Sequence, residues 1–181
     1  MVLKNRRAFW IWLVMILIMI GMIFKASATP YAKQDMQPFL QAHFQWTSET
    51  FPHVAFVYDG QFVTSRNPYE FFEFVIRKFC HVVEFTGLTF VFINFLMTTV
   101  MPRLLCYVCG PCLSMIYALF DEWHQTFVPG RTGHFIDAFS FDLAGMIIGT
   151  FIVFLLDLYV QFLYTGSRRQ QSAAKHVESS G

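Results

Sequence analysis

The sequence predicts an all-α membrane protein, a four-transmembrane-helix bundle with a small extracytoplasmic cap containing a β-hairpin. Three observations predict it. Hydrophobic residues make up 55% of the 181 residues and charged residues only 14%, against roughly 25% charge in soluble domains. Four stretches, about 8–24, 79–98, 104–120 and 138–160, are apolar on all sides, and roughly 20 such residues cross a bilayer. Between the first two lies a segment of mixed polarity, 25–77, that carries a strong hairpin signal. So many apolar stretches in so short a chain leave no soluble shell to bury them. The expected organisation is one membrane domain over residues 1–164, then a disordered cytoplasmic tail over 165–181.

The first span follows Lys4, Arg6 and Arg7. A basic start, an apolar run and Ala26-Ser27-Ala28 also fit a cleavable signal, but the run exceeds the roughly 7–15 residues usual there. Retention as an anchor is the expectation. In the segment that follows, Asp59-Gly60 separates Val54-Ala55-Phe56-Val57-Tyr58 from Gln61-Phe62-Val63-Thr64. Asp-Gly suits a type I′ turn, which needs positive φ at both positions. Asn67-Pro68-Tyr69-Glu70 then resembles a helix start, with Asn67 as cap and Glu70 three residues on. The aromatics after it suggest a turn or two in the interface before the second span.

In that span Lys78, His81, Glu84 and Phe85 recur at three- and four-residue spacing and share one face. The third span ends in Asp121-Glu122-Trp123-His124-Gln125 before Pro129-Gly130 stops it. Trp123 suits an interfacial anchor. Arg131 and Asp137 occupy the turn that follows. The last span carries Asp142, Gly145 and Gly149 on one face, and Gly145 to Gly149 forms a GxxxG motif that admits a second helix backbone. Asp142 should therefore point into the bundle. Cys109-Gly110-Pro111-Cys112 matches a thioredoxin-type C-x-x-C, but no strand precedes it and no helix starts there. Pro111 is expected to kink the helix.

Basic residues flank both ends: Lys4, Arg6 and Arg7 before the first span, Arg168, Arg169 and Lys175 after the last. By the positive-inside rule both termini are cytoplasmic. Residues 25–77 and 121–137 are then extracytoplasmic. Lys78, His81, Glu84, Asp121, Glu122, Gln125, Arg131, Asp137 and Asp142 would gather at the outer face. Ionisable groups in or beside the bilayer are expensive, face one another or a wet cavity, and mark sites. A net charge of +1 without a basic stripe gives no sign of nucleic-acid binding.

These residues together resemble the VanZ-like family of small bacterial membrane proteins. The resemblance rests on Arg77-Lys78-x-x-His81-x-x-Glu84-Phe85-x-x-Leu88, then Asp121-Glu122-x-x-Gln125-x-Phe127-x-Pro129-Gly130-Arg131, then Asp137, Gly145 and Gly149. It covers roughly residues 8–160. The chain departs from the pattern at Asp142, where Asn is expected, and at Phe85, where Tyr is common. The resemblance implies a multi-pass protein of the bacterial cytoplasmic membrane, linked in founding members to glycopeptide resistance of the teicoplanin type, with no firmly established reaction.

Three readings of the cluster stand side by side. In the first it binds or shields an envelope component, a lipid or lipid-linked precursor. Lys78, His81 and Arg131 would engage anionic groups, and Gln125 and the carboxylates would position them. In the second the protein is an enzyme acting on a lipid-linked precursor by acid–base or metal-assisted chemistry. His81, Glu84, Asp121, Glu122, His124 and Asp137 could supply zinc ligands, yet there is no HExxH, and no metal or cofactor is expected. In the third it is a structural or adaptor subunit, Arg131 forks onto a carboxylate, and exchanging charges between Arg131 and Asp137 would preserve function.

Overall fold

The computed structural model describes residues 3–178. Helix α1 spans Arg6–Ser27, α2 Gln37–His43, α3 Pro68–Met97, α4 Arg103–Gln125 and α5 Phe135–Asp137. A π-helical segment, Ala138–Asp142, joins α5 to α6, Leu143–Glu178. Strands β1 (Ala55–Tyr58) and β2 (Gln61–Thr64) form an antiparallel hairpin pairing Tyr58 with Gln61. Four helical stretches are long and apolar enough to cross a membrane: Arg6–Ser27, Pro68–Met97, Arg103–Gln125 and Phe135–Leu163. The fold is a four-helix membrane bundle with a small hairpin-bearing cap.

Helix α3 is the centre of the bundle and packs on α1, α4 and α6. Phe85, Leu88 and Ile93 along it are fully buried. They meet Ile23 of α1, Ala118 of α4 and Met146 of α6 at the capped end, and Cys106 and Val153 toward the other. The outward faces carry Ile11 and Leu17 on α1 and Ile147 and Phe151 on α6, all more than half exposed. A bilayer solvates such side chains; water does not.

The glycines of the last span set the tightest helix contact. A Cβ at Gly145 would meet the Val82 carbonyl oxygen and the Thr86 nitrogen of α3, and one at Gly149 the Thr86 carbonyl oxygen. The resulting approach lets the Thr86 hydroxyl donate to the Gly145 carbonyl at 3.1 Å. Gly110 of α4 similarly abuts the backbone of Ile93. One turn further on, Thr89 donates to Ser114 at 2.8 Å in the core.

The hairpin turn has φ of 47° at Asp59 and 80° at Gly60, the two positive values that the Asp-Gly pair predicts. Trp46 organises the rest of the cap, stacked between Phe44 and Tyr69.

Several boundaries differ from expectation. Helix α3 begins at Pro68, where the Asn67-Pro68 pair predicts a helix start, and runs unbroken into the span expected from about 79, so the interfacial turns and the second span are one rod of roughly 45 Å at 1.5 Å per residue. That exceeds the roughly 30 Å of hydrocarbon, so the first turns project beyond it. Asn67 makes no side-chain cap bond; its amide donates to Glu70 instead. The sequence suggests disorder from 165, but α6 runs on through Glu178, over a stretch rich in the good helix formers Arg, Gln, Ala and Lys. Residues 179–181 lie outside the described residues. All four cysteines are free, and Cys109 and Cys112 sit well inside α4.

Candidate functional site

The polar residues of the four spans meet at the capped end of the bundle. Lys78 is buried on the inner face of α3, where its ammonium reaches both Asp137 oxygens at 2.7 and 2.6 Å. The same ammonium lies over the rings of Tyr58, Phe74 and Phe141 at 4.7, 5.2 and 5.8 Å, where ring quadrupoles attract a cation. Tyr58 also donates its hydroxyl to Asp137 at 2.5 Å. Burial, then the bond to Asp137, pushes the Tyr58 phenol above its ordinary value. Lys78 is therefore held internally, by charge on one side and aromatic faces on the other.

One turn deeper, His81 Nδ1 and Asp142 Oδ1 are 2.8 Å apart. The π segment makes both pairings possible together. Asp137 and Asp142 are five residues apart, which in an α-helix leaves them about 140° apart at 100° per residue. The i→i+5 hydrogen bonds of a π turn bring that spacing back to one side. Lys78 and His81, three apart on α3, then find their partners in register.

On α4, Gln125 donates to Asp121 at 2.8 Å, both buried. Glu122 accepts the His134 backbone N–H at 2.7 Å. The His134 ring is bonded in turn to Asp59 at the hairpin tip and to Thr132. The hairpin thus clamps the loop that delivers Asp137. Gly133 packs so close to the Glu122 carbonyl that no Cβ fits there.

Arg131 does not fork onto a carboxylate. Its Nη1 donates to the carbonyls of Ala26 at 2.9 Å and Ser27 at 3.4 Å, and to Gln34 Oε1 at 2.9 Å. Burial, then the neighbouring Arg77, pushes its guanidinium below the ordinary value, while Asp121, Glu122 and Glu84 pull the other way. Arg131 and Asp137 make no pair, so exchanging their charges tests nothing about the adaptor reading; Lys78 and Asp137 are the pair to exchange.

Two cavities adjoin at this end. One of about 320 Å³ is walled by His81, Glu84, Asp121, Gln125 and Arg131 with Arg77 and the end of α1. The other, of about 550 Å³, lies under the hairpin, with Lys78, Asp137, Tyr58 and His134 in its walls. Arg77, His81, Gln125 and Arg131 belong to both. Of the nine polar residues expected to gather at the outer face, all but Glu122 and Asp142 line one cavity or the other. Those two form a compact trio with His81, in which one donor atom of each residue lies within 4.8 Å of the others. Among the residues weighed as zinc ligands, only His81 and Glu122 belong to it; the His124 ring packs against Phe24 and Phe120 instead.

Sequence reasoning missed a second polar knot. Glu73, buried at 3% exposure, accepts from Arg77 at 2.8 Å, Gln37 at 3.0 Å, Tyr31 at 3.2 Å and the Met36 N–H at 3.4 Å. The spacing of Glu73 and Arg77, four apart, was the available signal. The Tyr31 phenol is raised by burial and by this carboxylate.

Fold and site together define a multi-pass membrane protein with a polar chamber built from all four spans and closed by a hairpin cap. The family described as VanZ/LLP1 matches residues 9–157, and the chain belongs to it. No curated protein and no solved structure matches the chain.

Proposed function

We propose that the protein sits in the bacterial cytoplasmic membrane with both termini cytoplasmic and binds an anionic envelope component in its polar chamber. The bound group is the phosphate or carboxylate of a membrane lipid or lipid-linked cell-wall precursor. Shielding that group would lower susceptibility to glycopeptides of the teicoplanin type. Basic residues flanking the first and last spans support the orientation, since it puts the chamber at the outer leaflet.

One observation carries the reading. Of the three Lys and Arg side chains in the chamber walls, Lys78 is matched by Asp137 and Arg77 by Glu73, whereas Arg131 bonds only neutral oxygens. Its Nη1 alone makes these bonds, and a guanidinium has five N–H donors in a fork that fits phosphate or carboxylate. It borders both cavities, so it is the cation with binding capacity to spare.

The test uses detergent-purified protein and native mass spectrometry with two probes, phosphatidylglycerol and a polyprenyl-diphosphate-linked cell-wall precursor. Arg131→Gln should weaken retention of one probe about tenfold, the equivalent of 1.4 kcal/mol. Equal retention by both proteins would refute the reading. A second reading, an enzyme acting on the precursor, draws on the His81–Asp142 pair, since a carboxylate-held imidazole in a cavity wall is the arrangement of a general base. Product formation that disappears in His81→Ala would favour it over binding alone.

A further inference from the structure

Behind the chamber wall three donors from three elements converge: His81 of α3, Glu122 of α4 and Asp142 of the π segment. Glu122 is 1% exposed and Asp142 is 0% exposed. Each retains one carboxylate oxygen without a hydrogen-bond partner among the described residues, Glu122 Oε1 and Asp142 Oδ2. Their other oxygens are committed, to the His134 N–H and to His81 Nδ1 respectively. A buried polar atom left unpaired is costly, and more so when charged. With both carboxylates ionised, even a protonated His81 leaves the trio one negative charge in excess. The neighbouring ammonium of Lys78 is already taken by Asp137.

We infer that His81, Glu122 and Asp142 form a binding site for one divalent transition-metal ion, with zinc the best chemical match. Zinc takes imidazole nitrogen and carboxylate oxygen together, and three protein ligands with one open position is a recurring zinc arrangement. Calcium and magnesium call for more oxygen ligands than this trio offers. The ion would meet the two unpaired oxygens and, with a neutral imidazole, balance the charge of the two carboxylates. Groups behind the ligands already hold them in place, as metal sites require. The Glu122 carboxylate is oriented by the His134 N–H, whose ring is fixed by Asp59 and Thr132. Because His81 also walls both cavities, the ion would lie one side chain from the chamber. The inference stands apart from the anion-binding reading, since neither requires the other.

The experiment strips purified full-length protein with a chelator, then titrates zinc alone while bound metal and thermal unfolding are followed. One zinc per chain and a zinc-dependent rise in Tm are expected. Glu122→Gln and Asp142→Asn, which keep shape and remove charge, should each weaken zinc at least tenfold. A Cys109→Ser/Cys112→Ser variant and His53→Ala should bind zinc as the unaltered protein does. Cobalt substitution gives a second readout on the unaltered protein, which decides the matter even if the carboxylate variants fail to fold. Bound cobalt without a thiolate charge-transfer band supports the site. No bound metal, a thiolate band, or unchanged affinity in folded carboxylate variants would overturn it. Anion retention is measured separately, so loss of one property leaves the other standing.

Discussion

At the capped end of the bundle the ion pairs Lys78–Asp137 and His81–Asp142 have side-chain exposures of 11%/3% and 12%/1%, whereas at the opposite end Arg103 is 54% exposed over Asp157 at 16%. The Arg103 pair joins α4 to α6 beside Tyr107, at the rim, where about half of the Arg103 side chain is exposed. The capped-end pairs join α3 to α5 and to the π segment inside the protein. An exposed pair contributes little and costs little. A buried pair carries a desolvation penalty that its attraction barely repays, so it is weak evidence for stability. Among the described residues, the buried interhelical ion pairs lie at the capped end, beside the candidate site.

The contrast can be broken from the buried side first. Lys78→Met leaves Asp137 buried without its cation and should lower stability by about 3–5 kcal/mol. The double variant Lys78→Met/Asp137→Leu should recover most of that, measured by thermal unfolding in detergent. An unrecovered double variant would mean that the pair specifies the fold. Gly145→Leu should cost about 3 kcal/mol, near the top of the overpacking range. The added side chain collides with the Val82 carbonyl and forces α3 and α6 apart, and His81 should then lose Asp142. Thermal unfolding in detergent measures the loss.

Tyr58→Phe comes next. It removes one bond to a charged acceptor, worth about 1.5–3 kcal/mol, and leaves the ring under Lys78. The sign of its pH dependence follows from the raised phenol. Stability from a raised group is complete below its unfolded pKa, about 10 for Tyr, and is lost as pH rises through the higher folded value. The unaltered protein should lose stability above about pH 10, and Tyr58→Phe should show a weaker alkaline loss in the same titration. Smallest of all, Arg103→Gln should shift stability by less than about 1 kcal/mol. A larger loss would show that the two ends are less different than their exposures suggest.

Much of this contrast was legible before any coordinates. The four apolar stretches, the Asp-Gly turn and the GxxxG face each depend on local spacing, and each has a direct physical consequence. That Asp142 faces the bundle also follows from its place one turn before Gly145. The pairings were not legible. Lys78, His81 and Glu84 share a face, yet Lys78 finds Asp137, His81 finds Asp142 and Glu84 borders a cavity. Which partner each meets depends on the wider π turn, and a 3.6-residue count does not reveal it. One of the readings sends Arg131 to a carboxylate, but the end of α1 brings the Ala26 and Ser27 carbonyls within its reach. Such long-range proximity leaves no periodic trace in the chain. The Glu73 knot was hidden for a related reason, because Tyr31 and Gln37 come from short helical turns of the cap about 40 residues before it in the chain.

The widened turn at 138–142 also acts as a single mechanical joint. Were it to relax to ordinary α geometry, Asp142 would swing by about 100° per residue of register while Asp137 stayed with Lys78. Imidazole and carboxylate would part company, and the aromatic seat around the ammonium would stay shut. A one-residue change in winding would thus undo one pairing and spare the other.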